Sequence, residues 1–236
     1  MRRAAPLLLL ALLGPLSRLT AQQPTIPPTH FQKLAHTYSI VAWDSVTGDL
    51  GVAVQSKFPN VGGIVPWAVA GVGAVATQSL ANTAYGELGL QLMAQGATAG
   101  EALRIVMRSD TMLGDRQVGM VDARGNAASF TGERTFDWAG GRVGAPEGTG
   151  TVSGGKGQVI VGHGFAAQAN IMVSDQTVRN MAESFARSTG ALADRLMTAL
   201  VAGQAGGGDK RGMQSAALLV VRKGAGYLGA NDRFVD

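Results

Sequence analysis

Strand-like runs in this chain come in adjacent pairs, and paired helices separate them. Residues 37–43 and 50–57 flank the turn-rich stretch Asp44-Ser-Val-Thr-Gly-Asp49, a pattern that predicts a β-hairpin. Extended runs follow at 64–70 and 73–79. A helix over 84–95 carries Leu88, Leu92 and Met93 on one stripe, and a second is entered at Thr98, whose partner Glu101 completes a capping box. Strands return at 116–122 and 127–131. Ser174 or Asp175 caps a third helix bearing Val178, Met181, Ala182 and Phe185, and a fourth runs from Leu192 to Val201, stopping near Gly203. Residues 215–222 form a last strand, paired with 226–229. A parallel doubly wound fold alternates single strands with helices. Paired strands instead predict an α+β fold, with two antiparallel sheets packed together and helices outside. Tyr38, Ile40 and Ala42 on one face of the first strand, against Val41 and Trp43 on the other, predict a sheet covered on both sides. The dense glycines of 139–164 predict a long mobile loop.

The residues before Thr37 have a different character. Arg2 and Arg3, the apolar stretch Leu7–Leu16 and the small-residue site Leu19-Thr-Ala21 predict an export signal over 1–21, hence a periplasmic or secreted protein. Residues 22–36, with Pro24, Pro27 and Pro28, read as an unstructured leader, and 37–236 as a single domain. About 200 residues are enough to bury roughly 70% of the unfolded surface. The full chain has 20 Lys+Arg against 16 Asp+Glu, but Arg2, Arg3, Arg18 and Lys33 all precede Thr37. The body is therefore charge-balanced, which argues against nucleic acid as a partner. No second apolar run reaches membrane length, so no integral membrane segment is expected after signal removal. Cysteine is absent, so the exported body relies on packing without disulfides.

Two glycine motifs and one histidine fail as sites. Gly150–Gly157 reads GTVSGGKG, yet Gly157 stands where a phosphate loop needs a hydroxyl for magnesium. Gly71-Val-Gly-Ala-Val-Ala76 leads into another strand, whereas a dinucleotide fingerprint opens a helix. His163 is the body's one histidine and has no neighbouring ligands, so neither a metal, a cofactor nor a serine–histidine triad is expected.

The hairpin supplies the remaining candidate. A six-residue loop over 44–49 sets Ser39 opposite Val54 and Thr37 opposite Ser56; a one-residue slip sets Lys57 opposite Thr37. A threonine hydroxyl is a poor nucleophile until a base takes its proton, and a free α-amine has a pKa near 7.7–8.0, suited to that work. A lysine nearby would lower the hydroxyl's effective pKa. Gln78, Ser79 and Asn82 lie where the fourth strand gives way to a helix, and amide donors there can stabilise an oxyanion. Each residue also has a plain structural role: strand former, solvated strand end, helix cap.

The run TYSIVAWDSVTGDLGVAVQSKFPNVGGIVPWAVAGVGAVATQSLAN resembles the opening of the domain-of-unknown-function family 1028, assigned to the N-terminal nucleophile (Ntn) hydrolase superfamily. Some of its members carry a fimbrial-assembly (FimA-like) label. QANIMVSDQTVRNMAESF and ALVAGQAGGGDKRGMQSAALLVVR resemble its later blocks, so the likeness covers nearly all of 37–231. It implies a four-layer αββα sandwich, with Thr37 as nucleophile and base, Lys57 as charge partner and Gln78 or Asn82 as oxyanion donor. Asn170, Asp209, Gln214 and Ser215 fall in family blocks as site-lining residues without an assigned role. The expectation is an exported amidohydrolase or peptidase acting on a small-molecule or peptide amide. The superfamily adds possible homo-oligomers through the outer helices. The alternative is a non-catalytic envelope binding or assembly protein that retains the fold. Thr37 lies fifteen residues past the signal cleavage site, so catalysis requires a second cut before it.

Overall fold

The computed structural model describes residues 37–135 and 137–236, so the expected signal and leader at 1–36 lie outside the described residues. Among the described residues, twelve strands form two sheets. The seven-stranded sheet has the order β12-β11-β2-β1-β10-β7-β9, with β1 Thr37–Trp43, β2 Leu50–Ser56, β7 Trp138–Ala145, β9 Lys156–Val161, β10 Phe165–Met172, β11 Ser215–Val221 and β12 Arg233–Val235. The five-stranded sheet has the order β3-β4-β5-β6-β8, with β3 Pro66–Val69, β4 Gly73–Ser79, β5 Arg116–Asp122, β6 Ala127–Thr131 and β8 Thr151–Ser153. The helices are α1 Ala84–Ala94, α2 Ala99–Met107, α3 Gln176–Arg187 and α4 Leu192–Ala205.

Side-chain alternation along each strand separates three apolar layers. Tyr38, Ile40 and Ala53 face α3 and α4, packing with Val178, Met181, Phe185 and Leu196. Val41, Val52 and Val54 face the other sheet and meet Ala74, Ala76 and Val121. Val75, Val118 and Met120 face α1 and α2, against Tyr85, Leu90 and Leu103. The result is a mixed α+β four-layer sandwich, as the strand pairing predicts. No described helix is long and apolar enough to cross a membrane.

The capping box at Thr98 and Glu101 forms as expected. Four features depart from the sequence reading. The glycine-rich stretch 139–164 is not a loop: it holds most of β7 and all of β8 and β9. Its glycines permit close approach, since a Cβ on Gly140 would sit 1.7 Å from the Lys156 carbonyl oxygen and one on Gly141 would lie 2.5 Å from Ser129 Oγ. The sheets are mixed rather than antiparallel, because β6–β8 and β7–β9 pair in parallel. α4 continues through Gly203 to Ala205, since a Cβ at Gly203 would press on Met181 and Tyr38 and the glycine is needed for contact rather than termination. Finally, β11 pairs with β12, while residues 227–229 form a short 3-10 turn in which Leu228 takes φ +53°.

Candidate active site

β1 is the middle strand of its sheet, and Thr37 is its first residue. The six-residue hairpin loop gives the unslipped register, with Trp43 opposite Leu50 and Thr37 opposite Ser56. On its other side β1 pairs with β10, which sets Asn170 opposite Thr37, while Ser215 of β11 lies opposite Ser56. Ser215, Ser56, Thr37 and Asn170 therefore make one polar row across four strands, at odds with the valines that fill the same face further along. Thr37 Oγ1 and Ser56 Oγ share a 3.0 Å hydrogen bond, and both residues are buried.

Behind this row the apolar filling between the sheets gives way to amides. Gln117 is the hub: its Nε2 donates to Thr131 Oγ1 at 2.9 Å and to the Ala169 carbonyl at 2.9 Å. Its Oε1 accepts from Gln78 Nε2 at 2.7 Å and Asn170 Nδ2 at 2.8 Å. Gln78 Nε2 also donates to the Thr37 carbonyl at 3.1 Å, and Gln78 Oε1 accepts from Ser39 Oγ at 2.6 Å. Gln168 Nε2 donates to the same Ser39 Oγ at 2.7 Å. Gly119 makes room for this amide, since a Cβ there would come within 2.0 Å of Gln168 Oε1. The network is not fully paired: the buried amide oxygens Gln168 Oε1 and Asn170 Oδ1 have no hydrogen-bond partner among the described residues.

In front of the row lies a partly open cavity of about 260 Å³. Thr37, Ser56, Gln78 and Ser79 form its polar floor, and Phe58, Val61, Ile64, Val65, Leu80 and Ala81 its walls. Ser79 takes φ +67°, a left-handed conformation uncommon for a side-chain-bearing residue, at the point where β4 ends. Ile171, next to Asn170, takes φ +59°, which for a β-branched residue is a marked outlier. Backbone outliers of this kind cluster at functional sites.

The profile of a family of unknown function, DUF1028, matches residues 37–148 and 145–236. The chain belongs to this family. A crystal structure of protein SPO2555 from Silicibacter pomeroyi, itself assigned to DUF1028, is 28% identical. The likeness covers 80% of this chain and 76% of that one, with a TM-score of 0.66. No curated protein matches.

In this DUF1028 protein the residues singled out from sequence separate into three groups. Thr37, Ser56, Ser79 and Gln78 line the cavity, with Asn170 beside Thr37 in the sheet. Ser39 lies behind them in the amide network. Gln78 is not the expected oxyanion donor, because its amide hydrogens point at Thr37's carbonyl and Gln117 rather than into the cavity. Ser215 works at the wall: its Oγ donates to the Phe58 carbonyl at 2.6 Å and accepts from the Val61 N–H at 3.1 Å, which fixes the wall segment.

Lys57, Asn82 and Gln214 do not reach the cavity lining. Lys57 lies just past β2 because the hairpin register favours Ser56, and strand alternation turns the next residue away from Thr37's face. The Gln214 N–H donates to the Ser56 carbonyl while its side chain is exposed. Asn82 is held by Asp110, donating from Nδ2 at 3.1 Å, and its Oδ1 accepts from the Ala84 N–H at the start of α1.

Asp110 also accepts from Tyr85 OH at 2.8 Å and Arg116 Nε at 2.8 Å. Burial alone would push its carboxyl up. Hydrogen bonds from Arg116, the Met112 N–H, Tyr85 and Asn82 outweigh this and hold it well below the usual carboxylate range. A depressed folded-state pKa contributes stability that is fully present above the unfolded value near 3.9 and is lost as pH falls through the folded one. Asp110→Ala should therefore cost about 1.5–3 kcal/mol at neutral pH, because it removes the carboxylate partner of the part-buried Arg116. Urea unfolding at a series of pH values checks this, and the gap between variant and parent should narrow below about pH 4.

Asp209 is a buried carboxylate at the ends of the two strands beside β1. Its Oδ2 accepts from the Lys57 N–H at 3.3 Å, and its backbone bridges Met172. Lys57 and Met172 lie just beyond Ser56 and Asn170, the two residues that flank Thr37. Asp209 thus closes the sheet in line with the N-terminal end of β1, paired with Arg211 at 3.2 Å. Burial first, and the Asp209 carboxylate second, push the Tyr38 phenol above its ordinary value. Sequence reasoning missed β10 altogether. The one available signal was the alternation of Gln168 and Asn170 with small apolar residues in Phe165–Met172.

Proposed function

We propose that this protein is an exported Ntn-type amide hydrolase in which Thr37, freed at the N-terminus by proteolysis, is both nucleophile and base. The carrying observation is Thr37 itself: first residue of the central strand, its hydroxyl 3.0 Å from Ser56 Oγ, on the floor of a cavity beside strained backbone. The α-amine takes the Thr37 hydroxyl proton as Oγ1 attacks the substrate carbonyl carbon. The C–N bond then breaks, the proton passes to the leaving nitrogen, and an ester on Thr37 is left for water to hydrolyse. Ser56 orients the hydroxyl. The Ser79 hydroxyl is the polar group available to the oxyanion, in place of Gln78 and Asn82.

In this proposal Asp209 is the positioning residue for the α-ammonium, standing in for Lys57 as the charge that organises the site. The charged residues in contact with Asp209 are Arg211, which pairs with it, and Lys57, whose backbone N–H donates to it; the Tyr38 phenol is neutral. A carboxylate favours the protonated amine and raises its pKa. Asp209→Asn should therefore lower kcat/KM and move the acidic limb of its pH profile down by about one pH unit. A residue that served only the fold would reduce the amplitude and leave the limb in place.

The deciding test is mass-spectrometric sequencing of the mature protein together with treatment by a β-lactone electrophile. Thr37 at the N-terminus and acylation confined to its peptide are expected. An intact leader with an unlabelled Thr37 would favour the second reading, a non-catalytic envelope binding module. That reading draws on the absence of Lys57 from the cavity lining.

A further inference from the structure

The cavity beside Thr37 has a composition that constrains what enters it. Four of its lining residues are polar, whereas Phe58, Val61, Ile64, Val65, Leu80 and Ala81 are apolar. Among the described residues, no charged side chain lines it. Val61 and Val65 are buried and belong to the apolar layer between the sheets, so the far wall is a continuation of the core. Ser215 ties the Phe58 and Val61 backbone to β11, so this wall is fixed in place. A charged group entering here would lose its hydration without gaining a counter-ion, whereas each buried methylene is favoured.

Resting on the Thr37 reading, we infer that the cavity receives the acyl side of the substrate and selects an uncharged, apolar acyl group. The acyl group remains bonded to Thr37 Oγ1 after the amine leaves, so it must occupy the space next to that oxygen. The amine leaves first; water then enters to hydrolyse the ester and release the acyl group as its carboxylic acid. The acyl group can belong to a fatty N-acyl amine or to a peptide with an apolar residue before the scissile bond. Both present the same chemistry to the walls.

The experiment uses the processed protein and coumarin amides bearing acetyl, hexanoyl, succinyl, N-blocked leucyl and N-blocked lysyl groups. At about fourfold per buried methylene, hexanoyl, with four methylenes more, should exceed acetyl in kcat/KM by about 250-fold. Leucyl should exceed lysyl by a similar margin, and succinyl should be the poorest. Hexanoyl ahead of leucyl identifies the fatty amide as the source, and the reverse order identifies the peptide. Ile64→Asp should erase the hexanoyl preference by at least tenfold, and Leu80→Glu provides the same test if the first variant does not fold. Calorimetric titration with hexanamide and with succinamate reads the cavity without turnover. Tighter hexanamide binding with no hydrolysis of any amide supports the acyl pocket and defeats the Thr37 mechanism. Equal affinity, or a succinyl or lysyl preference, overturns the inference even where Thr37 is acylated.

Discussion

Thr37→Ala is expected to reduce kcat/KM on amide substrates by about 10⁴–10⁶-fold, the range typical of losing a catalytic nucleophile. The fold should survive, because the change removes one side-chain hydrogen bond, to Ser56, worth about 1 kcal/mol. Thr37→Ser should keep measurable activity, since it preserves both the hydroxyl and the α-amine after processing. Ser56→Ala should fall between the two, because it disturbs only the orientation of the hydroxyl. Steady-state kinetics on the four proteins, with thermal unfolding as the control, separates loss of chemistry from loss of structure. Activity that persists undiminished in Thr37→Ala, on protein verified to lack contaminating hydrolase, would remove Thr37 from the reaction.

Gln117→Leu should produce the largest loss of stability among substitutions that retain volume. Gln117 Oε1 is the acceptor for Gln78 Nε2 and Asn170 Nδ2, and its own Nε2 joins Thr131 to the Ala169 carbonyl. Leucine would leave two amide donors short of a partner between the sheets, each costing about 1–3 kcal/mol, or about 2–6 kcal/mol together. Urea unfolding reads that cost directly. The same variant should impair catalysis beyond its effect on stability. Gln78 loses the anchor that aims its amide at the Thr37 carbonyl, and Asn170 loses the one that holds it beside Thr37. A loss below about 1 kcal/mol would mean that the network is a passive filling of the space between the sheets.

The Asp209 variant probes a different part of the same assembly. Gln117 acts on the carbonyl side of Thr37 through Gln78 from within the sandwich, whereas Asp209 joins the ends of β2 and β10, the two strands beside β1. If both act as argued, Gln117→Leu should change amplitude at all pH values and Asp209→Asn should change the position of the acidic limb.

Much of the architecture was legible in local patterns. The hairpin register follows from loop length, since six residues between Trp43 and Leu50 leave Thr37 opposite Ser56. The second helix follows from its capping box and the four-layer order from strands that occur in pairs. The stretch 139–164 reads as a loop because glycine has two uses that a sequence does not distinguish. It loosens a loop, and it lets strands approach where a Cβ would collide, as at Gly140 against Lys156. With β7 and β9 hidden in that way, β10 lost its neighbours, and the residue that sits across from Thr37 was placed near the site by resemblance alone.

By itself the sequence determined that Thr37 begins a buried strand and that a serine faces it, because pairing across a short hairpin is a local property. The tertiary structure alone decided which distant groups join them. Asn170, Gln117 and Asp209 lie 133, 80 and 172 residues along the chain from Thr37, and no periodicity links them. Their convergence depends on how the two sheets stack and on which strand lies beside β1, and those are choices made by packing the whole core at once.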